Sequence, residues 1–224
     1  MENRGLERRL KAFVVLGLLL VGVISCDLGP GKGPVELTYS APVEISVKAG
    51  ENLPGTSIRY VGKSEDGAEV LIAGQHALKQ KGDSLDWEGD PVEGVSVDLS
   101  MRILWFTEET LHLVGTGTVV VRQPNPQPAF IQNDWPLKFT NAPVTYGIDR
   151  NDYIPGTTIE YLGKEEEGAH LGGIDGYPYR KGADSILWEG KLRERVYLRL
   201  NVRVLYIGES SLRVGGTASI WIVP

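Results

Sequence analysis

Two stretches gather side chains that could do chemistry on a polar ligand: Asp83-Ser84-Leu85-Asp86-Trp87-Glu88-Gly89 and Asp184-Ser185-Ile186-Leu187-Trp188-Glu189-Gly190. An exposed indole is a flat platform for the apolar face of a sugar ring, and carboxylates beside it accept hydrogen bonds from sugar hydroxyls. Trp87 and Trp188 would be the platforms, flanked by Asp83 and Glu88 in the first stretch and by Asp184 and Glu189 in the second. The same acids are the two carboxylates a glycosidase needs, although the order of residues does not set their separation. The rival reading is structural and is the one the pattern favours. An Asp-Ser pair after Lys-Gly or Gly-Ala bonds nearby backbone amides in a turn, and the tryptophan closes the end of a core.

Other chemistries find little support. The three histidines, His76, His112 and His170, stand in no paired ligand spacing, so no metal site is expected. There is no GxSxG elbow, no P-loop and no GxGxxG, so neither a catalytic residue nor a cofactor is expected. The formal charge is -6. Residues 1 to 25 carry Arg4, Arg8, Arg9 and Lys11 against Glu2 and Glu7, so the rest of the chain stands at -8. An acidic body without a basic stripe repels phosphate backbones, which argues against a nucleic-acid partner.

Cys26 is the single cysteine, which excludes an intrachain disulfide or a CxxC motif. It ends a basic start and an apolar run, AFVVLGLLLVGVIS from Ala12 to Ser25, that is short for a membrane span. The tetrapeptide Val23-Ile24-Ser25-Cys26 resembles the lipobox of bacterial lipoproteins. That resemblance, confined to residues 1 to 26, implies that residues 1–25 are a signal peptide cut before Cys26. The Cys26 thiol would carry the lipid, and the body would stand outside the cytoplasm on a membrane anchor. Read instead as an uncleaved signal anchor, the segment leads to the same side of the membrane. Residues 26–35, rich in Gly and Pro, read as a flexible tether.

These residues must be positioned by a body that contains itself twice. From Leu37 the halves align at an offset of 101, with 13 of 33 positions identical between Ala41 and Ala73, including Pro54-Gly55-Thr56 with Pro155-Gly156-Thr157. That is a duplication of whole domains, 36–122 and 137–224, since the period exceeds that of solenoid repeats. Each copy ends in a long hairpin of period two. Val95, Val97, Leu99, Met101, Ile103 and Trp105 are expected to face inward, and likewise Val196, Leu198, Leu200, Val202, Val204 and Tyr206. In the Ala-Pro-Val segments proline cannot donate to a ladder, which confines each strand to an edge or the proline to the strand's first residue. The stretch AEVLIAGQHALKQK could be helical, but its counterpart AHLGGIDGYPYRK contains three glycines and a proline, so strand and loop are expected in both. Residues 123–136, with Gln123-Pro124-Asn125-Pro126-Gln127-Pro128, are expected to be a semi-rigid spacer outside any sheet.

The fold class expected is therefore all-β, two tandem antiparallel β-sandwich or small β-barrel domains. The function expected is non-catalytic, a membrane-anchored extracytoplasmic binding or structural module of the cell envelope. Its partners would be the membrane through the lipid anchor and an envelope protein or glycan. The alternatives are a glycan-acting hydrolase and an assembly partner that pairs edge strands.

Overall fold

The computed structural model describes residues 36–132 and 135–224. The signal-peptide segment, Cys26 and the tether lie outside the described residues. Among those residues there is no helix, and the sheets are open and antiparallel with no closed barrel.

The first copy has β1 (Glu36–Lys48), β2 (Ile58–Ser64), β3 (Gly67–Ile72), β4 (Gln75–Lys79), β5 (Trp87–Val92), β6 (Val95–Phe106) and β7 (Thr110–Arg122). After β8 (Gln127–Pro128), the second repeats the order with β9 (Leu137–Asp149), β10 (Glu160–Glu165), β11 (Gly168–Gly172), β12 (Tyr179–Arg180), β13 (Ser185–Arg193), β14 (Val196–Ile207) and β15 (Ser211–Ile222). A large sheet, β1-β7-β6-β5, faces a small one, β2-β3-β4, and the second copy builds β8-β13-β14-β15-β9 with β10-β11-β12. The ambiguous AEVLIAGQHALKQK stretch is strand, forming β3 and β4. β1 and β9, which hold Pro42 and Pro143, are edge strands as the missing amide requires.

The alternation in β6 and β14 is real up to a point. Val95 through Ile103 and Val196 through Val204 are buried at every second residue. Trp105 and Tyr206, expected inside, are 42% and 56% exposed. A bulge between Ile103 and Trp105, matched between Val204 and Tyr206, adds one unpaired residue, Leu104 or Leu205, and so flips the next side chain outward.

The offset of 101 also fails at one place. Leu37 pairs with Val121 and Leu137 with Ile222, while Ala41 pairs with Gly117 and Ala142 with Ala218. Leu37 and Tyr39 therefore correspond to Leu137 and Phe139 at an offset of 100. The extra residue is Asn141, at φ 60 beside the register shift of β9, where asparagine tolerates the left-handed region.

The large strands reach about 40 Å, while the five to seven residues of β2 to β4 reach about half that. A small sheet thus covers only one end of its large partner. That end is the hairpin tip, where the Tyr60 hydroxyl donates to the Thr107 carbonyl and the Tyr161 hydroxyl to that of Gly208 at 2.6 Å. The other end is covered by the opposite copy. β1 packs on β9, and the Phe139 ring lies over Gly117. The type II turn at Gly156 presses on Leu37 and Tyr39, while the matching turn at Gly55 presses on Leu137. The buried side chains of both copies accordingly form one contiguous core.

The stretch expected to be a semi-rigid spacer outside any sheet is built into the second copy. Asn125 N–H donates to Leu192 O at 2.7 Å, and Gln127–Pro128 pairs with Lys191 and Gly190 at the edge of β13. Beyond it Ile131 is buried, and Trp135, shortly before β9 at the far edge, packs tilted on Tyr197 with ring centroids 4.0 Å apart. Proline is tolerated here because an edge position needs only the carbonyl side of the ladder.

Candidate functional site

The residues singled out by sequence do not converge. Trp87 and Trp188 sit in strands β5 and β13, facing inward, whereas Glu88 and Glu189 occupy the next position and so the opposite face. Trp188 is 6% exposed, and its Nε1–H donates to Thr158 Oγ1 at 3.0 Å. Trp87 is half-buried against the core. Each indole lies over the glycine two residues on, Gly89 or Gly190, where any Cβ would collide with the ring. The shared Trp-Glu-Gly is thus an indole covering the backbone of its own strand. Asp83 Oδ2 accepts from Gln80 N–H, and Asp184 Oδ2 from Lys181 N–H, both at 2.7 Å, which closes a turn in each copy.

Glu189 bonds Arg199 Nε at 2.6 Å on the outer face of the second large sheet. In the first copy the corresponding pair is Glu88 opposite Asp98, two acids in register. Like charges set directly across a ladder cost stability rather than add to it. Asp90 lies nearby and accepts from Ser96 Oγ at 2.7 Å. Among the histidines, His76 meets Glu69 at 2.6 Å and His170 meets Glu165 at 2.9 Å. Among the described residues no three His, Cys, Asp or Glu side chains gather into a metal-binding group.

The feature that sequence reading missed lies on the outer face of β1-β7-β6-β5. Trp105, turned out by its bulge, stacks on His112 with ring centroids 3.4 Å apart and planes 21° from parallel. His112 Nδ1 is bonded in turn to Ser46 Oγ at 2.8 Å. Register places these three side by side on β6, β7 and β1. One step along the face is a cleft of about 390 Å³ lined by Ser84, Asp86, Ser100, Arg102, Val114 and Thr116, among others. Its polar groups are held by backbone: Asp86 Oδ1 accepts from Met101 N–H at 3.1 Å, and Arg102 Nη1 donates to Gly82 O at 3.0 Å. The signal in the sequence was the loss of alternation in Ile103-Leu104-Trp105-Phe106 and Val204-Leu205-Tyr206-Ile207, four apolar residues in a row where one face should be polar.

The second copy carries the same architecture with different chemistry. Tyr206 pairs with Arg213, and Leu187, 63% exposed, stands where Asp86 stands in the first copy. Leu205 lies over Gly215. Comparison of the chain with protein-family models, with curated proteins and with solved structures finds no match.

Proposed function

We propose that this protein is a non-catalytic binding module held outside a bacterial membrane by a lipidated Cys26, presenting the outer faces of its two large sheets to an envelope partner. The observation that carries the binding half is the repeated bulge. In both copies it turns two consecutive apolar residues to solvent, Leu104-Trp105 and Leu205-Tyr206, where folding gains little from them. The anchoring half is supported by the succession of basic start, apolar run and lipobox.

The two rival readings have less support. A hydrolase working through the Asp-Ser-x-x-Trp-Glu-Gly stretches would need its carboxylates to meet, yet the aspartates hold turns and the glutamates face away from the indoles. Pairing through the free edge of β5 is opposed by Pro91 and by the charges of Glu88 and Asp90, while the edge of β13 is already taken by β8.

Both halves are testable in cells. Cys26→Ala should abolish fatty-acid labelling and release the body from the membrane fraction, and unchanged labelling would overturn the anchor. The double variant Trp105→Ala/Tyr206→Ala should keep a single cooperative melt, its midpoint lowered only by loss of the Trp105–His112 stack, but lose retention on washed envelope material. Equal retention of variant and parent would overturn the assignment of the outer faces.

A further inference from the structure

We propose that the outer face of β1-β7-β6-β5 binds a neutral oligosaccharide, with Trp105 as stacking platform and the adjoining cleft supplying bonds to the sugar hydroxyls. This rests on the binding-module reading and narrows it to a ligand class and to one copy. The platform comes first. An indole stacked on His112, which Ser46 holds in turn, is fixed before a ligand arrives, so little side-chain entropy remains to be lost on binding.

The cleft comes next in register. Alternate positions along β7 share the outer face, so Val114 follows His112 and Thr116 follows Val114; their partners on β6 are Trp105, then Arg102 across the bulge, then Ser100. The row from Trp105 to Ser100 spans roughly 14 Å, longer than one pyranose ring, so the face fits a chain of sugars. Its polar groups are both donors and acceptors: the hydroxyls of Ser84, Ser100 and Thr116, the carboxylate of Asp86 and the guanidinium of Arg102. A saccharide hydroxyl needs both kinds of partner. Asp86 and Arg102 are anchored by backbone contacts and so presented at fixed positions.

Charge selects among saccharides. The same face bears Glu36, Glu44, Asp86, Glu88, Asp90 and Asp98 against Lys48, Arg102 and Arg122, an excess of negative charge that disfavours uronic acids and sulfated glycans. The second copy lacks the acceptor, with Leu187 in place of Asp86, and Leu205 covers Gly215 beside its equivalent of the cleft. The saccharide face therefore belongs to the first copy.

The body comprising residues 36–224 can be titrated calorimetrically and by tryptophan fluorescence with gluco-, xylo-, manno- and chito-hexaose, and with an oligogalacturonate as the anionic contrast. At least one neutral hexaose should saturate, and the oligogalacturonate should not. Trp105→Ala should weaken that binding at least tenfold, and Asp86→Ala several-fold, each with a single cooperative melt retained although its midpoint falls, since Met101 N–H loses its acceptor and His112 its stacking partner. Trp105→Phe, which keeps a ring on His112, should retain part of the affinity and provides the measurement if the alanine variant misfolds. Absence of saturable binding to every neutral hexaose at about 10 mM would overturn the proposal, as would binding indifferent to both Trp105 variants. A parallel arm uses envelope material before and after periodate cleavage of vicinal diols. Trp105-dependent retention that survives periodate and that chito-hexaose, whose internal rings carry no vicinal diol, does not compete away would overturn the saccharide assignment while leaving the binding-module reading standing. No retention of the parent protein would overturn both.

Discussion

Trp188 and Trp87 hold equivalent places in the two copies, yet the first is buried with its N–H bonded to Thr158 and the second is only half covered. Trp188→Ala should therefore cost about 3 to 5 kcal/mol, the range for a large aromatic removed from a packed interior. Trp87→Ala should cost about 1 to 3 kcal/mol, since less of its ring leaves water on folding. Urea unfolding of each variant measures both. Tyr39 and Tyr146 make a second residue-scale pair. Their phenols face each other between the copies, and the Tyr39 hydroxyl has no hydrogen bond of good geometry. Burial pushes the Tyr146 phenol up to about 12 and that of Tyr39 well above its ordinary value. Below pH 10 both phenols are neutral in either state and the stability is fully present. As pH climbs from 10 towards 12 the unfolded chain ionises while the folded chain resists, so stability should fall by on the order of 2 kcal/mol. Tyr146→Phe should flatten that fall in a pH series of unfolding midpoints. Tyr39→Phe, which also removes a buried hydroxyl lacking a partner, should leave neutral-pH stability equal or higher.

At the scale of elements, the type II turns are the most constrained pieces. Gly55 and Gly156 hold φ 74 and 79, and the following Thr56 and Thr157 hydroxyls donate to the carbonyls of Leu53 and Ile154 while accepting from Ile58 and Ile159 N–H. Thr157 is buried, so Thr157→Val should cost about 1 to 3 kcal/mol by leaving the Ile159 amide unpaired. Gly156→Ala should cost more than the backbone strain alone, because the new methyl would sit 2.9 Å from both Leu198 and the Tyr39 hydroxyl. Thermal melts of the two variants in the full body give both figures. These turns, the long hairpins and the edge prolines were legible in the sequence because each is written locally, in a dipeptide or in a period of two. The bulges were not, since one unpaired residue leaves composition unchanged and shows only as a lost alternation at Leu104 and Leu205. The platform of Trp105 was missed for the same reason: its position depends on that one residue. The Trp-Glu-Gly motif reads as structural, and what it builds, an indole over its own strand's glycine, is set by the strand's backbone rather than by the residue types.

For the whole molecule, the decisive fact is that each large sheet is covered at one end by its own small sheet and at the other by the opposite copy. A fragment of residues 137–224 would expose Leu137 and Phe139 and lose the strap that buries Ile131. Such a fragment should unfold without cooperativity or bind an apolar dye, whereas the body of residues 36–224 should show a single transition by fluorescence and calorimetry. Two separated transitions in the body would contradict a shared core. Sequence reading reached the duplication but not this sharing, because the contacts that join the copies involve the same residue types as those within each.

The β1 ladder has a mechanical consequence. β1 meets β7 through thirteen consecutive residue pairs, from Glu36 opposite Arg122 to Lys48 opposite Thr110. Whatever holds the chain upstream of Glu36 pulls first on this strand. Tension along the strand axis loads the rungs together, in shear, and none can give without its neighbours. Tension across the axis peels the ladder from the Glu36 end, one rung at a time. A body tugged outward by something bound to the face of that same sheet would therefore resist or yield according to the angle of the pull, and stretching single molecules from Glu36 along and across the sheet would give two different rupture forces.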